Sequence, residues 1–361
     1  MPRIVVDAMG GDHAPAEVVE GALRAVLARS DLEVVLVGDE ARVRALLPAD
    51  GEAAKVRDRL VVQHASQVVT MEEKPQEALA RKSDASIFVA ARLVAQGRGD
   101  ALVSAGNTGA SVLACARTFK LIAGVRRAAL AAVYPTEIRH GEKHDPFSLL
   151  LDVGATLDAT AQDLVSFAHM GAAYAARISR NPRPSVALLS NGSEAGKGPK
   201  EVVAAHQLLG EANAGNSRLN FVGNVEGVDI PRGTADVIVC SGYVGNVVLK
   251  MLEGVSDTVM RLARYAYQEK LVWRAALALL SGGIKRLKAV TDWQEYGGAP
   301  LLGFDRLFIK AHGRSGARAM ANAVKVAHKA VASGLIDDIR ARMSTGPAPG
   351  DTAPPPTPPA G

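Results

Sequence analysis

Residues 4–15 read IVVDAMGGDHAP, in which a short apolar run is followed at once by an acid, paired glycines and a histidine. Gly10 and Gly11 lack Cβ atoms, so their backbone N–H groups can approach an anion closely. Pro15 suits the first turn of a following helix. The stretch therefore predicts a strand, a phosphate-sized turn and a helix. A tight strand-to-helix turn that Asp7 and His13 cap without a ligand is the alternative interpretation.

The same order of strand, turn and helix repeats along the chain. Apolar β-forming runs alternate with amphipathic stretches, which is typical of a parallel sheet covered by helices on both faces. The predicted helices include 16–27 and 76–96. The predicted strands span 3–6, 32–37, 59–62, 100–103, 128–133, 148–151, 185–189, 219–222, 236–240 and 307–310. We expect a three-layer α/β/α fold with a mostly parallel sheet, whose ligands bind beyond the carboxyl ends of the strands.

The composition describes a folded protein without a membrane span. Of the 361 residues 48% are hydrophobic, yet no window approaches the run of about eighteen apolar residues that a span needs. Residues 1–3 lead directly into a strand, so we expect no signal peptide and a cytoplasmic location. Cys115 and Cys240 are too few for a disulfide framework and lack zinc-site spacing. We therefore expect neither a metal nor a cofactor.

The charge balance bears on the class of partner. A net charge of +5 favours acidic partners, but aromatic residues make up only 4% of the chain. No basic stripe with interleaved aromatics, which stacking on bases would need, is visible. We therefore expect no nucleic acid and favour anionic metabolites, an acidic protein or a membrane surface.

Two segments depart from the alternating pattern. Residues 257–292 combine seven Lys or Arg residues with an apolar centre, which indicates a protruding helical hairpin with an apolar tip and basic flanks. Such a hairpin suits a membrane interface or an acidic protein, and an ordinary dimer or core contact is the equal alternative. Residues 346–361 contain seven prolines and almost no apolar bulk, so we expect a disordered tail. The domain that contains the hairpin would then span 1–345.

Further glycine-bearing turns follow the predicted strands. Asn107 and Thr108 open a helix after residues 101–103 and offer donors for a phosphate or a carbonyl oxygen. Lys197 lies in the turn NGSEAGKG, where it would act as a point charge on phosphate or on a developing oxyanion. This turn lacks P-loop spacing, so nucleotide binding does not follow.

The remaining turns add an amide, a histidine and a glycine pair. Asn246 stands at a predicted helix start, Gly298 lies in YGGAPLLG before the last strand, and His312 follows that strand. Each turn alone is an ordinary cap or loop. Together, after successive strands of one sheet, they favour an active-site cleft over a purely structural role.

Seven segments in order carry a resemblance to a known family. They are DAMGGDHAP (7–15), SAGNTGA (104–110), LLLDVGA (149–155), FVGNVEG (221–227), GYVGNVVLKMLEG (242–254), YGGAPLLG (296–303) and IKAHG (309–313). Over residues 1–335 the sequence resembles the bacterial phosphate acyltransferases of phospholipid synthesis, the PlsX family. The resemblance implies a Rossmann-like α/β/α enzyme, similar in fold to phosphotransacetylases and isocitrate-type dehydrogenases.

The resemblance also implies an activity and partners. The enzyme would convert long-chain acyl-ACP and orthophosphate to acyl phosphate and free acyl carrier protein, for phosphatidic acid synthesis. It would be a cytoplasmic homodimer that contacts the membrane peripherally through the hairpin at 257–292. A glycerol-3-phosphate acyltransferase would take the product. The alternatives are a non-catalytic protein that binds acyl-ACP or phosphate, and a dehydrogenase of the isocitrate type, although the aspartate cluster and arginine set of the latter are missing.

The chain departs from the family pattern at a few positions. Ser241 stands where the family commonly has Asp, Thr156 replaces the Asn of DVGAN, and the small residues between Asn191 and Gly198 are reordered. No mechanism for this chain can therefore rely on an acid at position 241. Lys197 and Asn246 match the family's positions.

The expected reaction requires a site that binds anions. Phosphate attacks the thioester carbonyl, and a thiol with a pKa of about 8.5 leaves without strong acid help. Two anions, phosphate and the oxyanion, must then be held in one pocket. We assign oxyanion stabilisation to Lys197 and Asn246, and we place the remaining candidates in substrate binding. They are Asp7, Gly10, Gly11, His13, Asn107, Thr108, Gly298 and His312.

Overall fold

The computed structural model describes residues 1–140, 145–214, 219–269, 272–273 and 297–344. Eleven strands in these ranges form one sheet. They are β1 (Arg3–Asp7), β2 (Glu33–Gly38), β3 (Leu60–His64), β4 (Ala101–Ser104), β5 (Ala129–His140), β6 (Asp145–Leu151), β7 (Ser185–Leu189), β8 (Asn220–Val225), β9 (Val237–Val239), β10 (Ala299–Leu302) and β11 (Leu307–Lys310). Every predicted strand is present, with ends that differ by a few residues except in β5 and β6.

The sheet is mostly parallel, as predicted, but its direction changes in the middle. The strand order is β3-β2-β1-β4-β11-β10-β5-β6-β9-β7-β8. Strands β3, β2, β1, β4 and β11 run parallel to one another, and so do β6, β9, β7 and β8. Antiparallel pairing of β10 with both neighbours, and of β5 with β6, reverses the second group. The carboxyl ends of the two groups therefore lie at opposite edges of the sheet.

Strand β10 was missed in the sequence because its residues resemble a loop. Ala299–Leu302 includes Pro300 and lies between Gly298 and Gly303, and both proline and glycine indicate turns. Pairing on both sides, with β11 and with β5, overrides this local tendency.

Helices flank the sheet, and a five-residue π-helix and a three-residue 3-10 helix add to them. The α-helices are α1 (Ala16–Leu27), α2 (Glu40–Ala45), α3 (Gly51–Ala54), α4 (Pro75–Arg81), α5 (Ser86–Ala95), α6 (Thr108–Thr118), α7 (Ala161–Tyr174), α8 (Lys200–Ala214), α9 (Asp229–Arg232), α10 (Gly242–Glu269), α11 (Ala317–Ala332) and α12 (Leu335–Ser344). Among the described residues, no helix has both the length and the apolar character needed to cross a bilayer.

The single helix predicted over 76–96 was wrong, because two helices occupy that range. The break between α4 and α5 is held by a neighbouring segment. Asp84 accepts hydrogen bonds from the backbone N–H and the hydroxyl of Ser66, at 2.7 and 2.6 Å. The backbone N–H of Ser86 donates to the carbonyl of Gln67. These contacts lie some eighteen residues apart in the chain, so amphipathic periodicity alone could not locate the break.

The core lies on both faces of the sheet, because alternate strand residues point to opposite sides. Ile4 and Val6 pack in the cluster that includes α1, α7 and α11. Val5 packs in the second cluster with α5 and α6, against which the inner side of α10 also lies. The three-layer α/β/α prediction is confirmed.

The predicted hairpin is described only in part. Its first residues, 257–269, continue α10, whereas 270–271 and 274–292 lie outside the described residues, as does the predicted tail at 346–361. Helix α10 carries a line of apolar side chains that are each more than half exposed: Val247, Met251, Val255, Val259 and Leu262. We call this line the α10 stripe. The domain boundary at 345 stays a prediction.

His169 of α7 makes stability depend on pH. Burial, aided by the charge of Arg342, lowers the pKa of His169 from 6.5 to about 4. The unfolded chain therefore binds a proton that the folded chain excludes, so stability is complete above pH 6.5 and is lost as pH falls toward 4. We expect wild type to lose about 3 kcal/mol more than His169→Gln between pH 7 and pH 4. Urea unfolding of both proteins at both pH values measures this difference, and equal losses would contradict it.

Candidate active site

Three neighbouring parallel strands end in an acid, a hydroxyl and a cation. They are Asp7 of β1, Ser104 of β4 and Lys310 of β11. Lys310 and Ser104 are register partners, and the Ser104 hydroxyl donates to Asp7 Oδ2 at 2.7 Å. All three residues are buried. We call them the buried row. It lies at the carboxyl edge of the first strand group, where ligands of open α/β sheets bind.

Burial controls the protonation of the two charged members. It raises the pKa of Asp7, against the hydrogen bonds that the carboxylate accepts and the charge of Lys310. It lowers the pKa of Lys310 to about 8, against the charges of Asp7 and Asp12. Lys310 was not among the residues predicted from the sequence. The available signal was a lysine that ends the otherwise apolar strand β11.

The glycine turn lies directly on the buried row. A Cβ atom at Gly10 would collide with Asp7 Oδ2 and lie 2.8 Å from the backbone nitrogen of Gly106. Gly11 has φ of +110°, in the region that favours glycine. The backbone N–H of Asp12 donates to the carbonyl of Gly313 at 2.9 Å, which fixes the turn to the loop after β11. The predicted order of strand, glycine turn and helix is confirmed, whereas phosphate binding by the turn stays a prediction.

Asn107 is engaged by the protein itself. Its side-chain oxygen caps α6 by accepting from the backbone N–H of Ala110 at 3.0 Å. Its Nδ2 donates to the carbonyls of Thr70, Met71 and Glu73. The amide therefore positions the helix start and a neighbouring loop, and its direct contact with substrate stays a prediction. Thr108, the first residue of α6, is exposed at the same edge.

The other candidates at this edge follow β1 and β11 or precede β10. His13 is exposed on the glycine turn. His312 is half-buried, and its Nδ1 accepts from the backbone N–H of Arg314 at 3.2 Å. Burial, with the charges of Lys250 and Arg314, lowers the pKa of His312. Gly298 has φ of +97°, and a Cβ atom there would lie 2.7 Å from the Lys310 carbonyl oxygen.

A second polar group lies at the opposite edge, around the fully buried Asp152. Its carboxylate accepts backbone N–H groups of Leu130, Gly154, Ala155 and Thr156 at 2.5–3.0 Å. Burial raises the pKa of Asp152, and these four donors oppose the rise. The carboxylate is therefore committed to holding the turn after β6.

Asn246 belongs to this second group. Its Nδ2 donates to the Val153 carbonyl at 3.0 Å, so one donor of the amide holds α10 to the turn after β6. Thr156, one of the departures from the family pattern, donates its hydroxyl to the Ala128 carbonyl and has a structural role. Ser241, another departure from the family pattern, immediately precedes the first residue of α10.

Lys197 is exposed in the loop after β7. Its backbone N–H donates to the Glu194 carbonyl at 3.0 Å, and its carbonyl accepts from the Ser190 hydroxyl at 2.9 Å. In the strand order β7 is five positions from β11. At about 4.8 Å per strand, β7 is roughly 24 Å across the sheet from β11, and Lys197 follows β7 at the opposite edge. The structure therefore does not bring all the predicted residues to one edge.

Comparisons with known proteins agree with this architecture. A family model described as "Fatty acid synthesis protein" matches residues 2–338. The "Phosphate acyltransferase" of Desulfitobacterium hafniense (strain Y51) is 44% identical over 344 residues, 95% of this chain and 98% of that protein. The "Phosphate acyltransferase" of Thermoanaerobacter pseudethanolicus is 38% identical over 343 residues, 95% of this chain and 98% of that protein. A solved phosphotransacetylase from Streptococcus pyogenes has a TM-score of 0.59 at 17% identity, over 93% of this chain and 94% of that one. That structural likeness shows the fold alone.

Proposed function

The chain belongs to the fatty acid synthesis protein family known as PlsX, whose curated members include phosphate acyltransferases, and we propose that it uses acyl-ACP as its acyl donor. In this proposal orthophosphate attacks the thioester carbonyl of a long-chain acyl-ACP. The C–S bond breaks, acyl phosphate forms, and the carrier protein leaves with its thiol.

The observation that carries the proposal is the glycine turn on the buried row. The Gly10–Gly11 turn places backbone beside the row, with the Gly10 N–H donating to the Asp7 carbonyl at 3.5 Å, and Lys310 offers a cation at the same edge. The charges of Lys250 and Arg314, opposed by that of Glu253, also act on His312 at this edge. Such a surface stabilises an anion. Among the described residues, this edge has no base and nucleophile in a Ser-His-Asp arrangement.

The oxyanion of the tetrahedral intermediate needs a second set of donors. Asn246 has one Nδ2 donor committed to the Val153 carbonyl, which orients the amide, and Lys197 presents an exposed ammonium group. We assign these two side chains to the oxyanion. The leaving thiol has a pKa of about 8.5 in its free form, so the demand for acid catalysis is small.

A covalent route through Cys240 is disfavoured by the structure. Its Sγ is buried and donates to the Asp152 carbonyl at 3.3 Å, and burial raises the pKa of the thiol well above its usual range. The reactive thiolate is therefore scarce. We expect Cys240→Ala to release thiol from acyl-ACP at nearly the wild-type rate. A loss of a hundredfold or more, with folding intact by circular dichroism, would restore the covalent route.

The proposed partners follow from charge and exposed apolar surface. The basic hairpin at 257–292 would bind an acidic acyl carrier protein or the membrane surface. At the membrane, a glycerol-3-phosphate acyltransferase would use the acyl phosphate for phosphatidic acid synthesis. The α10 stripe would pack against a second copy to form a homodimer, because its spacing of three and four residues suits helix pairing. The enzyme would be cytoplasmic and peripherally membrane-associated.

The test is release of free thiol from a long-chain acyl-ACP by the purified protein, with and without orthophosphate. Phosphate-dependent release together with acyl phosphate formation is the expected result. Release without phosphate would indicate a thioesterase. Binding of acyl-ACP without release would favour a non-catalytic binding protein, and turnover that needs a nicotinamide cofactor would favour a dehydrogenase.

A further inference from the structure

Lys310 has a buried ammonium group whose hydrogen-bonding capacity the protein leaves mostly unused. The residue is 7% exposed. One of its three N–H groups donates to the carbonyl of Ala311. Among the described residues, Nζ has no further hydrogen-bond acceptor and no ion-pair partner. Within the described part of the chain, two donors of this buried cation are therefore left for a ligand.

The charges around Lys310 do not neutralise it by contact. Asp7 and Asp12 favour the charged ammonium through space, while burial opposes it and lowers its pKa to about 8. Asp7 already accepts the Ser104 hydroxyl. A buried charge without a contact partner costs stability, so an anion that supplied acceptors would be bound with favourable free energy.

Three glycines lie around the buried row. Gly106 follows β4, Gly298 precedes β10, and a Cβ atom at Gly10 would collide with Asp7 Oδ2. The loop that follows Lys310 holds a second unused donor, since the buried hydroxyl of Ser315 has no hydrogen-bond partner among the described residues. That loop is tied to the glycine turn through Asp12. Cation, hydroxyl and glycine turn thus belong to one connected edge.

We propose that Lys310 is a substrate-binding residue that contacts orthophosphate directly through its two unused ammonium donors. The inference rests on the proposed function for the identity of the anion as a substrate. Phosphate would stand over the buried row, between the Gly10–Gly11 turn and the loop of Ser315. Bound phosphate would in turn hold the ammonium group in its charged form.

The test compares orthophosphate binding by wild type, Lys310→Met and Lys329→Met, with calorimetry and the phosphate-induced rise in Tm as readouts. Lys329 is the control, because its ammonium also donates to a backbone carbonyl, that of Ile178, but is exposed. We expect Lys310→Met to weaken phosphate binding by about tenfold to a hundredfold. Its Tm without phosphate should be unchanged or higher, since a buried charge is removed. The control should match wild type.

The outcomes separate this inference from the proposed function. Equal phosphate affinity in wild type and Lys310→Met overturns the inference, and so does a wild type that binds no phosphate. Thiol release is measured separately. If release depends on phosphate and Lys310→Met has an unchanged KM for phosphate, the proposed function is supported and the assignment of Lys310 to phosphate is wrong. If wild type binds phosphate but has no transferase activity, and Lys310→Met loses this binding, the phosphate site is supported and the proposed function is wrong.

The reversal of strand direction carries a second inference. Lys197 follows β7 and Lys310 ends β11, at opposite edges of the sheet and on strands roughly 24 Å apart, a span longer than any side chain. Helix α10 begins beside Asp152 at one edge and carries Lys250, whose charge acts on His312, at the other. We infer that Lys197 of one copy supplies its oxyanion donor to the site that binds phosphate in a second copy, docked along the α10 stripe.

Subunit mixing tests this shared site. Lys197→Ala, which should have a low kcat, and Lys310→Met, which should bind phosphate weakly, are mixed at low phosphate under conditions that exchange subunits. In half of the dimers one of two sites would regain both lysines, so about a quarter of wild-type activity should return. A mixture that stays as inactive as its components, with exchange verified by tagged subunits, would place both lysines in one chain and overturn the inference. A protein that is monomeric under assay conditions overturns it as well.

Discussion

Gly245→Ala is expected to destabilise the protein by about 4 kcal/mol or more, enough to prevent folding. A Cβ atom at this position would overlap the carbonyl oxygen of Asp152 and lie 2.8 Å from Cys240 Sγ. Both atoms belong to packed structure: Asp152 holds the turn after β6, and Cys240 follows β9. Neither can move without disrupting the contact between α10 and the sheet, because the interior is close-packed.

Gly254→Ala is the matched control on the same helix. Gly254 is exposed, and an added Cβ atom would meet no atom within 4 Å. Alanine should therefore stabilise α10 by about 1 kcal/mol through its helix propensity. Urea unfolding followed by circular dichroism measures both effects. If Gly245→Ala were as stable as wild type, α10 would not start against the Asp152 turn as described.

Lys197→Ala should lower kcat for phosphate-dependent thiol release by about 10² to 10³, the usual effect of removing one oxyanion donor. The side chain is exposed, so stability should change by no more than about 0.5 kcal/mol. We expect kcat to fall with little change in phosphate affinity, because phosphate binding is assigned to Lys310 at the opposite edge of the sheet. Steady-state kinetics at varied phosphate and acyl-ACP separates the two parameters.

Lys200→Ala is the control for loss of positive charge near that loop. Lys200 lies three residues on, at the start of α8, and is exposed beside Glu201. It should retain wild-type kcat. If the two alanine variants lost activity equally, Lys197 would act through the general field of the loop. If neither did, its assignment to the oxyanion would be wrong.

Much of this architecture follows from local patterns. Residues 4–6 form a strand because they are apolar and β-branched, and the glycines that follow must form a turn because Asp7 leaves no room for a Cβ atom at Gly10. The strands before Asn107 and His312 were predicted in the same way. β10 was not, since its proline and flanking glycines indicate a loop until β5 and β11 pair with it.

By itself, the sequence determined ten of the eleven described strands, the glycine turns after them and the family, because each depends on neighbouring residues or on motifs in order. Only the tertiary structure decided which turns share an edge, because strand direction depends on pairing between β5, β6 and β10, which are distant in the chain. It also revealed Lys310, whose importance comes from burial and from donors that no other described residue uses. Such properties exist only once the strands lie side by side.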